Sequence, residues 1–476
     1  MLHYLCKLLN NKKAYYILFG LNILVGVVIF NISSKVQFPD STGYWLMGES
    51  ILNGKFSSWY FLPKYYPETL RTPGYPIFLA FCQLISNSPF FVKVIQLLIY
   101  FISIHLCTLI IRKLTSNLVG INLFLLLLIP NIQIVYYTGY ISAEILSVFF
   151  ITLTMYLMFS RKTLFTALLL AFTCYCSFIV RPAFLIFPFL LSVYFIFQDK
   201  KNSRFSLLFI SMYLILLIPF GLWNKFNHGV FKVTSLEGGA GVAHLGFWQL
   251  KLMDGYTETY YWGNHTSYDY TKPNFYTKEE QLQNTKDLEK EGNNLLRDIA
   301  VYESKEDSIY LVSMKNNSLG ILPLRNSKYT IAREKRLWQL AKENIIAEPL
   351  FYIKSRVYHF IRFYVSGINY MDFKKSNSLT QKAKTLYPFF ITLIFIFGGL
   401  IFISINAIFK KNHFPNIFAF ILLLWYYGGV HLPFVIQARY TIPIHLLLLA
   451  ILSVMVIKKI NSADLLIQRR VETNDK

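Results

Sequence analysis

FFVKVIQLLIYFISIHLCTLII, running from Phe90 to Ile111 and followed at once by Arg112 and Lys113, sets the class of this chain. An apolar run of about 17 to 25 residues is long enough to cross the hydrocarbon core as a helix. Runs of the same character recur at 15–32, 118–136, 141–159, 164–180, 183–198, 205–223, 386–409, 414–433 and 440–457. The expectation is an all-α polytopic membrane protein with about ten or more transmembrane helices. Composition agrees: the chain is 54% hydrophobic and 17% aromatic but only 15% charged, whereas soluble domains carry about a quarter of their residues as charges. The first run lacks a small-residue cleavage site and reads as a retained anchor.

The formal charge of +22 could suggest a nucleic-acid partner. Its placement argues against one. Lys12/Lys13, Arg112/Lys113, Arg161/Lys162, Lys200/Lys201/Arg204, Lys410/Lys411 and Lys458/Lys459 fall in alternate loops, as the positive-inside rule requires of a cytoplasmic face. Both termini then lie in the cytoplasm. Two large segments, 33–89 and 224–384, face outward, leaving 385–457 as C-terminal transmembrane helices and 458–476 as a cytoplasmic tail. The large loops are then extracytoplasmic. Of the five cysteines, Cys6 is cytoplasmic, Cys107, Cys174 and Cys176 lie in apolar spans, and Cys82 stands alone. The long outer loop has none, so no disulfide framework holds it.

The first outer segment carries two short juxtamembrane helices. One opens on Asp40 or Ser41 as N-cap and stops at Gly54. The other starts after Arg71-Thr-Pro-Gly-Tyr-Pro76 and runs through Ile85. In the second segment, 278–307 reads as solvated helix or loop, and 331–364 as an amphipathic stretch returning to the membrane surface. A small α-rich outer domain is expected there.

Few acidic residues lie outside the long loop and the cytoplasmic ends: Asp40, Glu49, Glu68 and Glu144. Glu144 stands one turn inside a span, where an ionised carboxylate costs up to about 2.5–3.5 kcal/mol at the centre and less near the interface. It faces a polar cavity or a partner, or it serves a structural salt bridge or snorkels to water at the interface. Asp40 is either a helix cap or a functional carboxylate. Arg181 and Arg439 break the positive-inside trend at the outer surface. They either snorkel to the interface or bind an anionic headgroup, for which a guanidinium fork is well shaped. Two carboxylates and two arginines at one depth suit transfer from a lipid-phosphate donor, and also suit a lipid-binding or lipid-moving protein. His228, His244, His265 and His431 lack close spacing and read as ordinary residues.

Asp40-x-x-x-Tyr44, Gly54, Arg71-x-Pro-Gly-Tyr-Pro76, Tyr140-Ile-Ser-Ala-Glu144, Arg181-Pro182, Pro219 to Gly229, Ser235-Leu-Glu-Gly-Gly239 and Arg439-Tyr-Thr-Ile-Pro443 occur in this order. The series resembles the GT-C superfamily, in the bacterial branch similar to protein O-mannosyltransferases and lipid A aminoarabinose transferases. It covers most of 1–245 and the last 130 or so residues, while 250–340 match nothing in it. The resemblance implies an inverting glycosyltransferase of the bacterial inner membrane, with its large loops periplasmic, that takes its sugar from a polyprenyl-phosphate donor, with residues 1–223 as the catalytic transmembrane module. By resemblance Asp40 is the general base or acceptor-orienting carboxylate, and Glu144 assists it or holds a divalent cation. Arg181, Arg439, Arg71 and Lys225 would meet the donor phosphate, and Tyr44 and Tyr75 the substrate. Two departures stand out. Pro39-Asp40-Ser41 lacks the acidic pair often found in relatives, which weakens a metal bridging two carboxylates, and Trp223-Asn-Lys225 stands where an Arg-Asn pair is common. The acceptor would be a glycan, glycolipid or protein. A surface-glycan polymerase or ligase and a flippase for lipid-linked sugars remain the alternatives.

Overall fold

A computed structural model describes residues 8–35, 40–115, 117–237, 239–252, 257–258, 265–266, 275–302, 309–313, 319–323, 326–366, 378–409 and 415–474. Cys6 and the Lys410/Lys411 pair lie outside the described residues, as do the intervening parts of the 250–340 stretch. The helices of the first half are α1 (Lys12–Ser33), α2 (Ser41–Leu52), α3 (Gly74–Ile85), α4 (Pro89–Thr115), α5 (Leu118–Leu128), α6 (Gln133–Tyr136), α7 (Glu144–Leu157), α8 (Leu164–Val180), α9 (Phe187–Gln198) and α10 (Ser203–His228). Those of the second half are α11 (Ala240–Trp248), α12 (Lys278–Ile299), α13 (Ser327–Ala347), α14 (Pro349–Tyr364), α15 (Leu379–Ile391), α16 (Gly398–Phe409), α17 (Pro415–His431) and α18 (Ile442–Asn474).

Five of the described helical segments are long and apolar enough to cross a membrane: Lys12–Ser33, Pro89–Thr115, Lys200–His228, Leu379–Ala407 and Arg439–Ile460. The pair α5 and α6 makes a sixth if its 59° bend is read as one broken span. The runs at 141–159, 164–180, 183–198 and 414–433 fold into apolar helices of only 10–17 residues. At 1.5 Å per residue the shorter of these fall well short of the ~30 Å core, and the longest stand at the lower limit for crossing it. A multi-pass membrane protein is therefore what these helices describe, with fewer full-length spans than runs.

The ends of the helices follow from their flanking residues. Asn11, Asn117, Thr163 and Ser378 each accept a hydrogen bond from a first-turn amide, which satisfies donors that have no partner inside the helix. Gly229 closes α10 in the left-handed conformation at φ 78°, where a residue with a Cβ is strained.

The helix that begins at Arg439 is the centre of the bundle. Of its most apolar window 83% is buried, against 22% for α1 at the edge. α18 packs on α4, α5 and α7 and, through Ile444, Leu448 and Leu452, joins the principal core with Ile104, Val148 and Phe420. At the opposite end from Arg439, Leu9, Val119 and Ile457 form a small cluster. Lys113, Lys162 and Lys459 there lie over the rings of Tyr156, Phe195 and Phe402.

The segment 224–364 contributes α11 to α14. Thr277 and Glu280 form a reciprocal capping box at the start of α12. The amphipathic stretch expected at 331–364 is two helices, because Pro349 has no N–H to continue α13 and opens α14 at its first position instead. Leu350, Ile353, Val357 and Ile361 form the exposed stripe of α14. Two antiparallel strand pairs add a little β-structure to a region expected to be helical: β1 (Thr257–Glu258) with β2 (His265–Thr266), and β3 (Ile309–Ser313) with β4 (Leu319–Pro323). β4 lies against α2.

Candidate functional site

The site is assembled at the N-terminus of α2, where Asp40 occupies the cap position. Its side chain makes no capping bond. Asp40 Oδ1 accepts from Arg71 Nη2 at 2.9 Å, and Oδ2 accepts from Arg439 Nη1 at 3.1 Å. Of the two readings left open by the sequence, the helix cap is thus not what the carboxylate does. Two guanidiniums, from residues 31 and 399 positions away, take it instead.

Each arginine is brought there by a packing feature. Arg439 opens the central span, so the core fixes its height. Arg71 precedes α3, and Gly74 lets that helix sit on the end of α8. A Cβ at position 74 would stand 2.6 Å from the carbonyl carbon of Ile179 and 2.7 Å from Val180 N. The same contact brings the Arg71 loop close to Arg181, which directly follows Val180.

Glu144 begins α7 and is buried, with its side chain 3% exposed against 33% for Asp40. Glu144 Oε1 accepts from Arg181 Nη2 at 2.6 Å. Tyrosines join the two ion-pair groups. The Arg71 guanidinium lies 4.8 Å from the Tyr44 ring, and Tyr44 meets Tyr75 edge-on at 4.9 Å. The Tyr44 hydroxyl is within electrostatic reach of Arg71, Asp40, Glu144 and Arg181. Tyr440 lies between the other arginines, its ring 5.6 Å from Arg181 and 5.8 Å from Arg439. Ser41 Oγ donates to Ile141 O at 3.2 Å, pinning the start of α2 to the turn before Glu144. The same turn is held below: Tyr75 Oη donates to Gln96 Oε1 at 2.7 Å, and Gln96 Nε2 donates to Thr138 O and Tyr140 O. Gly139 fits against the end of α1, where a Cβ would meet Ser33.

Burial by itself would raise the Asp40 carboxyl, but Arg439 and Arg71 outweigh it and hold the group at about 2. Asp40 is therefore an anion throughout the ordinary pH range. Among the described residues, three guanidiniums against two carboxylates leave the ion-paired cluster with one positive charge. That balance suits an anionic ligand. It does not suit a divalent cation, because both Asp40 oxygens and Glu144 Oε1 already receive guanidinium protons and three cations surround them. Among the described residues, no three His, Cys, Asp or Glu side chains converge as metal ligands.

Seven of the residues singled out in the sequence thus share one site: Asp40, Tyr44, Arg71, Tyr75, Glu144, Arg181 and Arg439. Lys225 does not join them. It is exposed near the end of α10, while its neighbour Asn224 points inward to the carbonyls of Lys232 and Thr234. His228 Nδ1 pairs with Ser327 Oγ, His244 Nε2 with Glu291, and His431 stacks on Phe363 and Tyr440. The side chain of His265 lies outside the described residues.

Sequence reasoning gave no role to Glu237, which is fully buried and pairs with Arg333 and Thr69. It also left Glu68 without one, although its carboxylate accepts from the amides of Leu70 and Arg71. Both acids had a visible signal, since each lies in or beside a quoted motif. Arg333 had none, being one basic residue among several in an amphipathic helix. No family model, no curated protein and no solved structure matches the chain.

Proposed function

We propose that the chain is a GT-C-type membrane glycosyltransferase that moves a sugar from a polyprenyl-phosphate donor to an acceptor at the outer face of the bacterial inner membrane. The observation that carries this reading is the Asp40 clasp: a partly exposed carboxylate shared by Arg71 and Arg439 at one end of an apolar bundle. The donor phosphate would compete with Asp40 for those two arginines. As they turn to the phosphate, Asp40 loses the charges that hold it near 2, becomes a better hydrogen-bond acceptor and orients the acceptor hydroxyl. The acceptor oxygen then attacks the sugar C1 as the C1–O bond to the phosphate breaks. The proton passes towards Asp40, and the developing phosphate charge falls to Arg71, Arg439 and Arg181. One displacement gives inversion. Glu144, sealed on Arg181, acts by holding that arginine in place.

In this reading the short apolar helices are also membrane-embedded, bringing the count to ten or so. The basic residues at the end opposite Arg439 face the cytoplasm, and 224–364 faces outward. The test compares mass spectra of surface glycans and glycolipids from wild type, a deletion, and the deletion carrying Asp40→Asn at equal expression. Loss of one sugar unit that the Asp40→Asn chain cannot restore supports transfer and identifies the acceptor. Full restoration by that variant removes Asp40 from the chemistry and ends this reading.

A second reading, transport of a lipid-linked sugar, draws on a separate observation. The bend between α5 and α6 is linked through Ser366 to a π-helical stretch, Thr392–Phe397. Gln133 Nε2 donates to Ser366 Oγ at 3.2 Å, and Ser366 N donates to Thr392 Oγ1 at 2.8 Å. Broken helices inside apolar segments are a mark of transporters. Here they carry no charged side chain, whereas the charges collect at the Asp40 end, so transfer stays ahead.

A further inference from the structure

Residues 68–72, which carry Arg71 to Asp40, are bolted twice to one helix that belongs to neither the core nor the site. The first bolt runs through His228. Its Nε2 pairs with Glu68 O at 3.1 Å and its Nδ1 with Ser327 Oγ at 2.7 Å, in the first turn of α13. The second runs through Glu237. Its amide donates to Thr69 O at 2.9 Å, its carboxylate accepts from Thr69 Oγ1, and its other oxygen takes Arg333 Nη2, two turns along α13. Glu237 and Arg333 side chains are 0% and 3% exposed, so this pair is a buried one. Between the bolts, Glu68 folds the loop on itself. Its Oε2 accepts from Ser58 Oγ at 2.6 Å, and its Oε1 from Leu70 N at 3.1 Å and Arg71 N at 3.2 Å. Glu237 and the short run Thr69 to Arg71 are all that separate Arg333 from the guanidinium on Asp40.

We infer that Glu68 and Glu237 are positioning residues for Arg71, and that the seating of α13 on Glu237 sets how firmly Arg71 is held on Asp40. A loop of this length with Pro73 and Gly74 at its end has no helix or strand of its own to fix it. Its geometry therefore depends on what it is fastened to. The inference rests on the transfer reading only for what Arg71 is used for; the fastening itself is independent of it.

The bolt has a built-in probe. Glu334 accepts from Ala240 N at 3.2 Å beside Glu237, and burial, then the Glu237 charge, push it up to about 7 despite Arg333 and Lys232. Among the described residues, the charged groups facing it are Glu237 and Lys232 from the segment before α11, and Arg333 on its own helix. A carboxyl raised in the seated form favours seating when protonated, so seating weakens as pH rises through about 7.

Hydrogen–deuterium exchange of the full chain in lipid nanodiscs tests this without any sugar substrate. Glu237→Gln strands the Arg333 charge and could unfold the region, so the working variant is Glu237→Gln with Arg333→Met, which removes both charges. In that variant the amides of 70–72 should exchange at least about threefold faster, with α4 and α18 unchanged. In wild type the same amides should lose protection from pH 6 to pH 8 after correction for intrinsic exchange, and Glu334→Gln should flatten that dependence. Unchanged exchange at 70–72 in the double variant, or a pH response that persists in Glu334→Gln, overturns the inference. If exchange responds but Asp40→Asn restores the surface sugar, the positioning stands and the transfer reading falls. If Asp40→Asn fails to restore it and exchange is unmoved, the reverse holds.

Discussion

The two ion-pair groups of the site are built from the same chemistry and differ in exposure. Asp40 keeps a third of its side chain exposed and shares two arginines that are themselves 14% and 23% exposed. Glu144 is sealed against one arginine, with 3% of its side chain exposed. A buried pair is worth little net but is costly to break, because the surviving charge has no water to turn to. A partly exposed carboxylate can exchange partners at modest cost. The contrast assigns labour: Glu144 and Arg181 fix the frame, and Asp40 with Arg71 and Arg439 is the part that can change hands.

The largest effect should come from splitting the buried pair. Arg181→Ala leaves Glu144 buried without its hydrogen-bonded partner and should cost about 3–5 kcal/mol of stability, read as a fall in unfolding temperature in detergent. The double variant Glu144→Gln with Arg181→Met should recover most of it. If Arg181→Ala unfolds no earlier than wild type, the pair is not the frame and the contrast collapses. Asp40→Asn should do the opposite, lowering sugar transfer by about 10²–10⁴-fold while shifting stability by no more than about 1 kcal/mol. A stability loss as large as that of Arg181→Ala would make Asp40 part of the frame.

Much of this division was legible in the chain and part was not. Glu144 and Arg181 advertise themselves because a charge beside an apolar run is expensive and so implies a partner. That they are each other's partner is a matter of how α7 meets α8, which no local pattern encodes. Asp40 was harder, since Asp before a helix is favoured as a cap whatever else it does, and only the geometry shows the carboxylate turned away from the helix amides. The helices of full spanning length are fewer than the apolar runs for a physical reason. Phe, Leu and Ile fill the interior of a large bundle as readily as they face lipid, so 141–159 and 183–198 look like crossings although their helices are shorter. Arg333 was illegible because its meaning comes from Glu237, 96 residues away.

A smaller effect should follow acid. Arg439 and Arg71 depress Asp40 to about 2 in the folded chain, below its ordinary value of 3.8. The clasp therefore contributes stability that is present above about pH 3.8 and is lost as pH falls towards 2. Wild type should lose part of its stability across that window, and Asp40→Asn should lose less. Parallel curves for the two proteins would mean that the clasp contributes nothing.

Smallest of all should be the effect of Lys225→Ala, and it is informative for that reason. The family resemblance put Lys225 with the phosphate-binding cations, because Trp223-Asn-Lys225 stands where relatives commonly carry an Arg-Asn pair. In the helix, Trp223 packs on Phe56 and Phe220, and Asn224 turns inward to two backbone carbonyls. One position on, about 100° round the axis, Lys225 is carried to the exposed side. Among the described residues, the ion pairs of the clasp are made by Arg71 and Arg439 and do not include it. An exposed cation removed from such a place should change stability and transfer by less than about 0.5 kcal/mol equivalent. If instead Lys225→Ala lowers transfer as Arg439→Ala does, the donor phosphate reaches well beyond Asp40. The exposed rim of the bundle would then belong to the exchangeable half of the comparison rather than lying outside it.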